Sequence, residues 1–333
     1  MMRALHPDTS HKGEIEVIGR ATVAWVGLLL LTALTCAWLV LSGAGLTGSD
    51  TAHPAMQGAS DGRGAPLRVG YSIEPPYAYL DASGQVQGES PEVLRALLGP
   101  LGWPEPVWLH LRFGQLLHEL QMGRIDLIAS GMFITPQRQR VAAFSRPTAM
   151  VSPALLVAPF NPQGLHRLQD IVVRRDLKLA VLSGSVELEA ARQAGLHEPR
   201  LLVLQEAQHG LSAVQARQAD AFMLSGPSLR WAVRLGGNSV GELADPFEAP
   251  LLQDQPLIGR PAYAMRLGDA RLVQLDDALG QFLGTPAHLA LATRYGFSYD
   301  EIMPPPALGI PAAGAGSFAT GTTSGPALQG RRP

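Results

Sequence analysis

The chain runs to 333 residues, 46% hydrophobic and 16% charged, with 26 Lys and Arg against 28 Asp and Glu. A net charge of -2 removes the basic face that a nucleic-acid partner requires, so none is expected. One cysteine, Cys36, excludes a disulfide framework within the chain and any cysteine-based zinc site, and the length allows about two domains.

Residues 1–20 hold Arg3, Lys12 and Arg20 and read as a cytoplasmic n-region. Residues 21–41 carry no charge, and at helical rise they span about 31 Å, enough for a bilayer core. The next basic residue is Arg63, so the positive-inside rule sends everything beyond residue 42 across the membrane. The segment 21–42 reads as a retained anchor by its length, or as a signal cleaved after Ala44, where Ser42-Gly43-Ala44 offers small residues. Gly43, Gly45 and Gly48 spell GxGxxG but lack a preceding strand, so residues 43–65 read as a flexible linker. Residues 303–333, rich in Pro, Gly, Ala, Ser and Thr, read as a disordered tail.

Between these ends, strand-like runs alternate with helical patterns, which predicts α/β layers over residues 66–302. Strands are expected at Leu67–Ser72, Val107–Leu111, Ile125–Ala129, Leu177–Leu182 and Leu201–Leu204. Helices are expected from an N-cap at Ser90, over Phe113–Met122, and over Glu187–Ala194. Gln121 with Asp126 recurs as Gln215 with Asp220, both offset by 94 residues, which points to two similar halves. Each aspartate is expected to satisfy free N–H groups at a strand start. Extended crossings near Ala154–Pro159 and Ile258–Met265 would leave a cleft between the halves, where ligand sites collect.

Three loops hold the unusual chemistry. Ser72-Ile73-Glu74-Pro75-Pro76-Tyr77 presents Glu74 and Tyr77 from a proline-stiffened backbone. Phe113 follows the second strand. In Gly131-Met132-Phe133-Ile134-Thr135-Pro136-Gln137-Arg138, Thr135 and Pro136 are N-cap and first residue of a helix, so Arg138 lies in its first turn. A cation there opposes the helix dipole and points to a bound anion.

GYSIEPPYAYLDASG, GRIDLIASGMFITPQR, VAAFSRP and the later ADAF together resemble the family 3 solute-binding proteins that serve bacterial ABC importers. The resemblance covers residues 66–302. It implies a two-lobed periplasmic-binding-protein fold of type II with two crossings, lobe 1 at about 66–156 and 259–302, lobe 2 at about 157–258. It assigns the substrate carboxylate to Arg138. Amino-acid binders of the family carry an Asp five residues after the DA of the second lobe; here that position is Ser225. Within the family the chain is similar to the ectoine and hydroxyectoine binders. The turn Gly88–Glu92, the loop Gly184–Glu187 and the stretch Gly284–Phe297 share that likeness. It implies an aromatic box of Tyr77, Phe113 and Phe133 around a cyclic amidinium, with Glu74 on the ring nitrogens and Glu187 a second-lobe contact. A delocalised, weakly hydrated cation is what an aromatic cage binds, at roughly 0.5–2 kcal/mol per face.

The expected partners are a small zwitterion and an ABC permease in the inner membrane, the protein a monomer outside the cytoplasm, anchored or released. No metal or other cofactor is expected, since the nine histidines form no HExxH and the chain has no P-loop. Three alternatives stay open: a binder of polar or cyclic amino acids, an enzyme like the cyclohexadienyl dehydratases with Glu187 catalytic, and a membrane-tethered sensor. The leading expectation is a binding protein without enzymatic activity.

Overall fold

In the computed structural model the described residues are 64–303. The expected membrane or signal helix, the linker up to residue 63 and the tail from residue 304 lie outside them. Among the described residues no helix is long and apolar enough to cross a membrane.

Two five-stranded sheets form two lobes. In the first the order is Val107–His110, Arg68–Tyr71, Leu127–Phe133, Pro261–Met265, Ala143–Phe144. In the second it is Glu242–Leu243, Pro153–Val157, Ala221–Ser225, Leu179–Leu182, Leu201–Leu204. Each sheet holds three adjacent parallel strands, Arg68 facing Val107 in one and Leu179 facing Leu201 in the other. Each sheet then takes an antiparallel strand from chain that has just crossed over. Pro261–Met265 returns beside Leu127–Phe133, and Pro153–Val157 lies beside Ala221–Ser225. The central strands are buried along their whole length, as expected for sheets covered by helices on both faces.

Several boundaries differ from the sequence expectations. The strand placed at Ile125–Ala129 runs over Leu127–Phe133, so the Ser-Gly-Met-Phe loop is its buried end. The helix expected over Phe113–Met122 is a 3₁₀ turn, Phe113–Gln115, followed by Leu116–Gln121. Ser90 is not a cap: the helix spans Glu89–Leu101 behind Gly88. Its first N–H groups donate to the carbonyls of Pro76 and Tyr77, at 2.8 and 3.0 Å, so no side-chain cap is needed. Gly88 has φ 128°, and a Cβ there would stand 2.4 Å from the Tyr77 carbonyl oxygen. The crossings also shift. Pro153–Val157 belongs wholly to the second sheet, so the chain crosses before it, where Val151 and Gly259 exchange backbone hydrogen bonds of 2.9 and 2.7 Å.

Asp126 and Asp220 serve the same local purpose in the two lobes. Asp126 Oδ2 accepts from the Arg68 N–H at 3.0 Å, and Asp220 Oδ2 from the Lys178 N–H at 2.8 Å. Each carboxylate thereby holds the start of the neighbouring strand. Asp126 also pairs with the Arg68 and Arg266 guanidinium groups; against its partial burial, the hydrogen bonds and charge of Arg68, helped by the Arg271 charge, hold it below the usual carboxylate range.

Candidate functional site

A cavity between the lobes is lined by Glu74, Phe113, Phe133 and Arg138 from the first lobe and Glu187 from the second, with Ser225 at its edge. Five of the six candidate residues therefore share one wall-to-wall space. The space is tight: its volume is about 20 Å³, little more than one water centre needs. The lobes stand closed upon each other.

Arg138 is buried, not a solvated surface arginine. Thr135 caps the short helix Pro136–Gln139 by accepting from the Arg138 N–H at 3.2 Å, as its sequence position predicts. The guanidinium turns back into the cleft, donating to the Phe133 carbonyl at 2.6 Å and, across the lobe boundary, to the Gly184 carbonyl at 2.9 Å. Burial lowers its pKa, and Glu189 and Glu187 partly offset this. Further N–H donors remain on the fork for a carboxylate.

Glu74 is equally enclosed. Ser225 Oγ donates to Ser228 Oγ at 2.9 Å, and Ser228 Oγ donates to Glu74 Oε1 at 2.8 Å, a relay that again crosses between lobes. Burial pushes the Glu74 carboxyl up to about 8; the Glu187 charge adds to this, while the serine hydroxyls oppose it. Glu187 sits in the first turn of Val186–Gln193, capped by Ser185, and its carboxyl is raised by burial while Arg138 pulls the other way. The closed cleft thus holds two acids and one guanidinium with little water to screen them. A ligand cation placed beside Glu74 would favour loss of its proton.

That arrangement has a sign in stability. An acid near 4.5 when unfolded and about 8 when folded keeps its proton longer in the native state. Stability therefore falls as pH rises from about 4.5 to about 8 and levels off above. Glu74→Gln is expected to flatten the slope, recovering on the order of 2–4 kcal/mol at alkaline pH, or roughly 5–10 °C in Tm. Melting curves at about pH 5 and pH 8.5 check this; parallel slopes in variant and wild type would contradict it.

The aromatic box is only partly assembled. Phe133 and Phe113 line the cavity, and the Phe113 ring faces the Arg138 guanidinium, 5.7 Å from it. Tyr77 does not line it. Its ring lies on Gly131, where a Cβ would come within 2.5 Å, and packs edge-on against Phe133 and Phe297 at 6.4 and 5.5 Å. Among the described residues its hydroxyl has no hydrogen-bond partner. The Tyr77 ring thus packs among Gly131, Phe133 and Phe297, with its hydroxyl near enough to Ser225 of the second lobe to feel it.

Sequence reasoning missed the helix Gly226–Gly236, which carries much of the lobe contact. Ser228 reaches Glu74, Arg230 pairs with Glu301, and Trp231 lies against Tyr79 and Tyr295 at 5.9 and 6.3 Å between ring centres. A serine and a tryptophan on a half-exposed amphipathic helix give no local signal of this. A close approach of backbone to backbone is also invisible in sequence: Gly184, at φ 77°, lies against Gly114 of the other lobe.

Comparison with known proteins gives a consistent result. The family described as bacterial extracellular solute-binding proteins, family 3, matches residues 67–286. A probable amino-acid ABC transporter periplasmic-binding protein of Sinorhizobium fredii is 27% identical over 71% of this chain and 78% of its own. A probable histidine-binding protein of Neisseria gonorrhoeae is 26% identical over 54% of this chain and 67% of its own. Among solved structures, EhuB in complex with hydroxyectoine superposes with TM-score 0.64 at 28% identity, covering 70% of this chain and 88% of the other.

Proposed function

We propose, since this chain belongs to the bacterial extracellular solute-binding proteins of family 3, that it captures ectoine or hydroxyectoine outside the cytoplasm and delivers it to an ABC permease. The single observation carrying this reading is that Arg138, Glu74, Glu187, Phe113 and Phe133 border one cavity between two lobes. A guanidinium takes the carboxylate of a zwitterion; two carboxyls and two rings receive a delocalised cation. Both lobes contribute, so a ligand held by both favours their closure by the difference between its contacts in the open and closed states. The likeness to the hydroxyectoine-bound EhuB supports the choice of solute. On this reading the protein acts as a monomer, held at the membrane by residues 21–42 or released from it, and performs no reaction.

A second reading, binding of an amino acid, is favoured by the names of the curated relatives. Against it stands Ser225, a neutral group at the cavity edge where a primary ammonium would want a carboxylate. A thermal-shift screen of the full-length chain against ectoine, hydroxyectoine, proline betaine, histidine and arginine separates the two. At about 100 times Kd the true solute adds about 2.7 kcal/mol of stability. We expect ectoine and hydroxyectoine to raise the midpoint. A response to histidine or arginine alone would transfer the assignment to amino acids, and conversion of prephenate to an aromatic product would make the protein an enzyme.

A further inference from the structure

A second cavity, of about 360 Å³, borders Glu74, and Arg138 is not among its lining residues. Its volume falls in the range of small-molecule sites, and it is far roomier than the closed cleft beside it. The wall is carbon almost throughout: Leu211, Phe222, Leu229 and Val240 from the second lobe, with Ile73 and Pro75 from the first. The polar side chains at its border are Glu74, Ser228 and Gln208, with the indole of Trp231 carrying one further N–H, and the first two are hydrogen-bonded to each other. Glu74 and Leu224 border both cavities and so form the partition between them.

Three consequences follow from this construction. A charged ligand group would find no opposite charge here beyond the engaged Glu74, and burying it unpaired is expensive. An uncharged ring displaces water from apolar surface at no such cost, and one hydroxyl or N–H on it can reach the Glu74–Ser228 edge. The loop Ile73–Pro75 and the helices Ala207–Gln215 and Gly226–Gly236 come from different lobes, so an occupant touches both and adds contact that an open form would lose.

We propose that this cavity is a second ligand site for a small uncharged ring compound, aromatic or alicyclic with at most one hydrogen-bonding group, whose binding favours the closed lobes. The site itself does not depend on the zwitterion assignment; its coupling to the cleft does. The probes are indole and cyclohexanol, titrated calorimetrically into the full-length chain. Two variants fill the cavity from different helices, Ala232→Trp and Leu211→Trp, at half-buried positions outside the cleft. Wild type is expected to bind both probes, and each filled variant that retains a cooperative melt to bind them about tenfold more weakly or not at all. With indole saturating, ectoine is expected to bind wild type about threefold more tightly, and by linkage ectoine tightens indole equally. Neither probe binding wild type, or both binding the filled variants as well as wild type, overturns the site. Probe binding with ectoine affinity unchanged overturns the coupling. Ectoine failing to bind while the probes do counts against the zwitterion assignment and leaves the second site standing.

Discussion

Arg138→Ala is expected to abolish zwitterion binding: truncating one partner of a buried charge pair costs about 2–5 kcal/mol, on the order of 30-fold to several thousandfold in Kd. The magnitude rests on where the guanidinium sits. It is enclosed, it is the arginine that borders the cleft, and the acids around it would repel a ligand carboxylate once it is gone. The substitution also removes the bond to the Gly184 carbonyl, a direct tie between the lobes. Arg138→Lys should recover only part of the loss, because an ammonium cannot grip a carboxylate with a planar fork. Calorimetry with ectoine measures both variants. Affinity within about threefold of wild type in Arg138→Ala would remove the anion site from this position.

The second large effect is expected from a methyl group. In Gly184→Ala the new Cβ would lie 2.8 Å from the Gly114 Cα, and the φ of 77° is one that L-residues avoid at roughly 1–2 kcal/mol. A collision with backbone cannot be relieved by turning a side chain, so the lobes have to part. Parting draws the Gly184 carbonyl from Arg138 and weakens the Ser228 contact with Glu74. The variant should fold, with a modest drop in Tm, and bind solute at least about tenfold more weakly. Small-angle scattering with saturating solute should show it larger than wild type under the same conditions. The reciprocal change, Gly114→Ala, meets the Ser183 Oγ at 3.3 Å and should be mild. A Gly184→Ala protein as compact and as tight-binding as wild type would mean that this contact does not limit closure.

Much of the site was legible because its local rules are short in range. Thr135-Pro136 is a helix start in such a context, and the structure has Thr135 as the cap with Arg138 the third residue of the helix. The paired aspartates announced two related halves by spacing alone, and both accept from a backbone N–H at a strand start. The misplaced features are those settled by partners distant in sequence. Ser90 has the composition of a cap, but the Pro76 and Tyr77 carbonyls arrive first and take its task. Tyr77 has the composition of a binding aromatic, but the glycine at 131 opens a slot into which the ring packs.

By itself the sequence determined the alternation of strands and helices, the kinship of the two halves, and a set of charged and aromatic residues at loops after strands. Those follow from periodicity, capping and residue type, which act over a few neighbours. Only the tertiary structure decided which of these residues meet in one cavity, that Tyr77 packs on Gly131 against Phe133, and that Gly184, Ser228 and Trp231 join the lobes. Such contacts unite residues as much as 154 positions apart, as Glu74 and Ser228 are. Their geometry is fixed by how two folded lobes close, which no local pattern encodes.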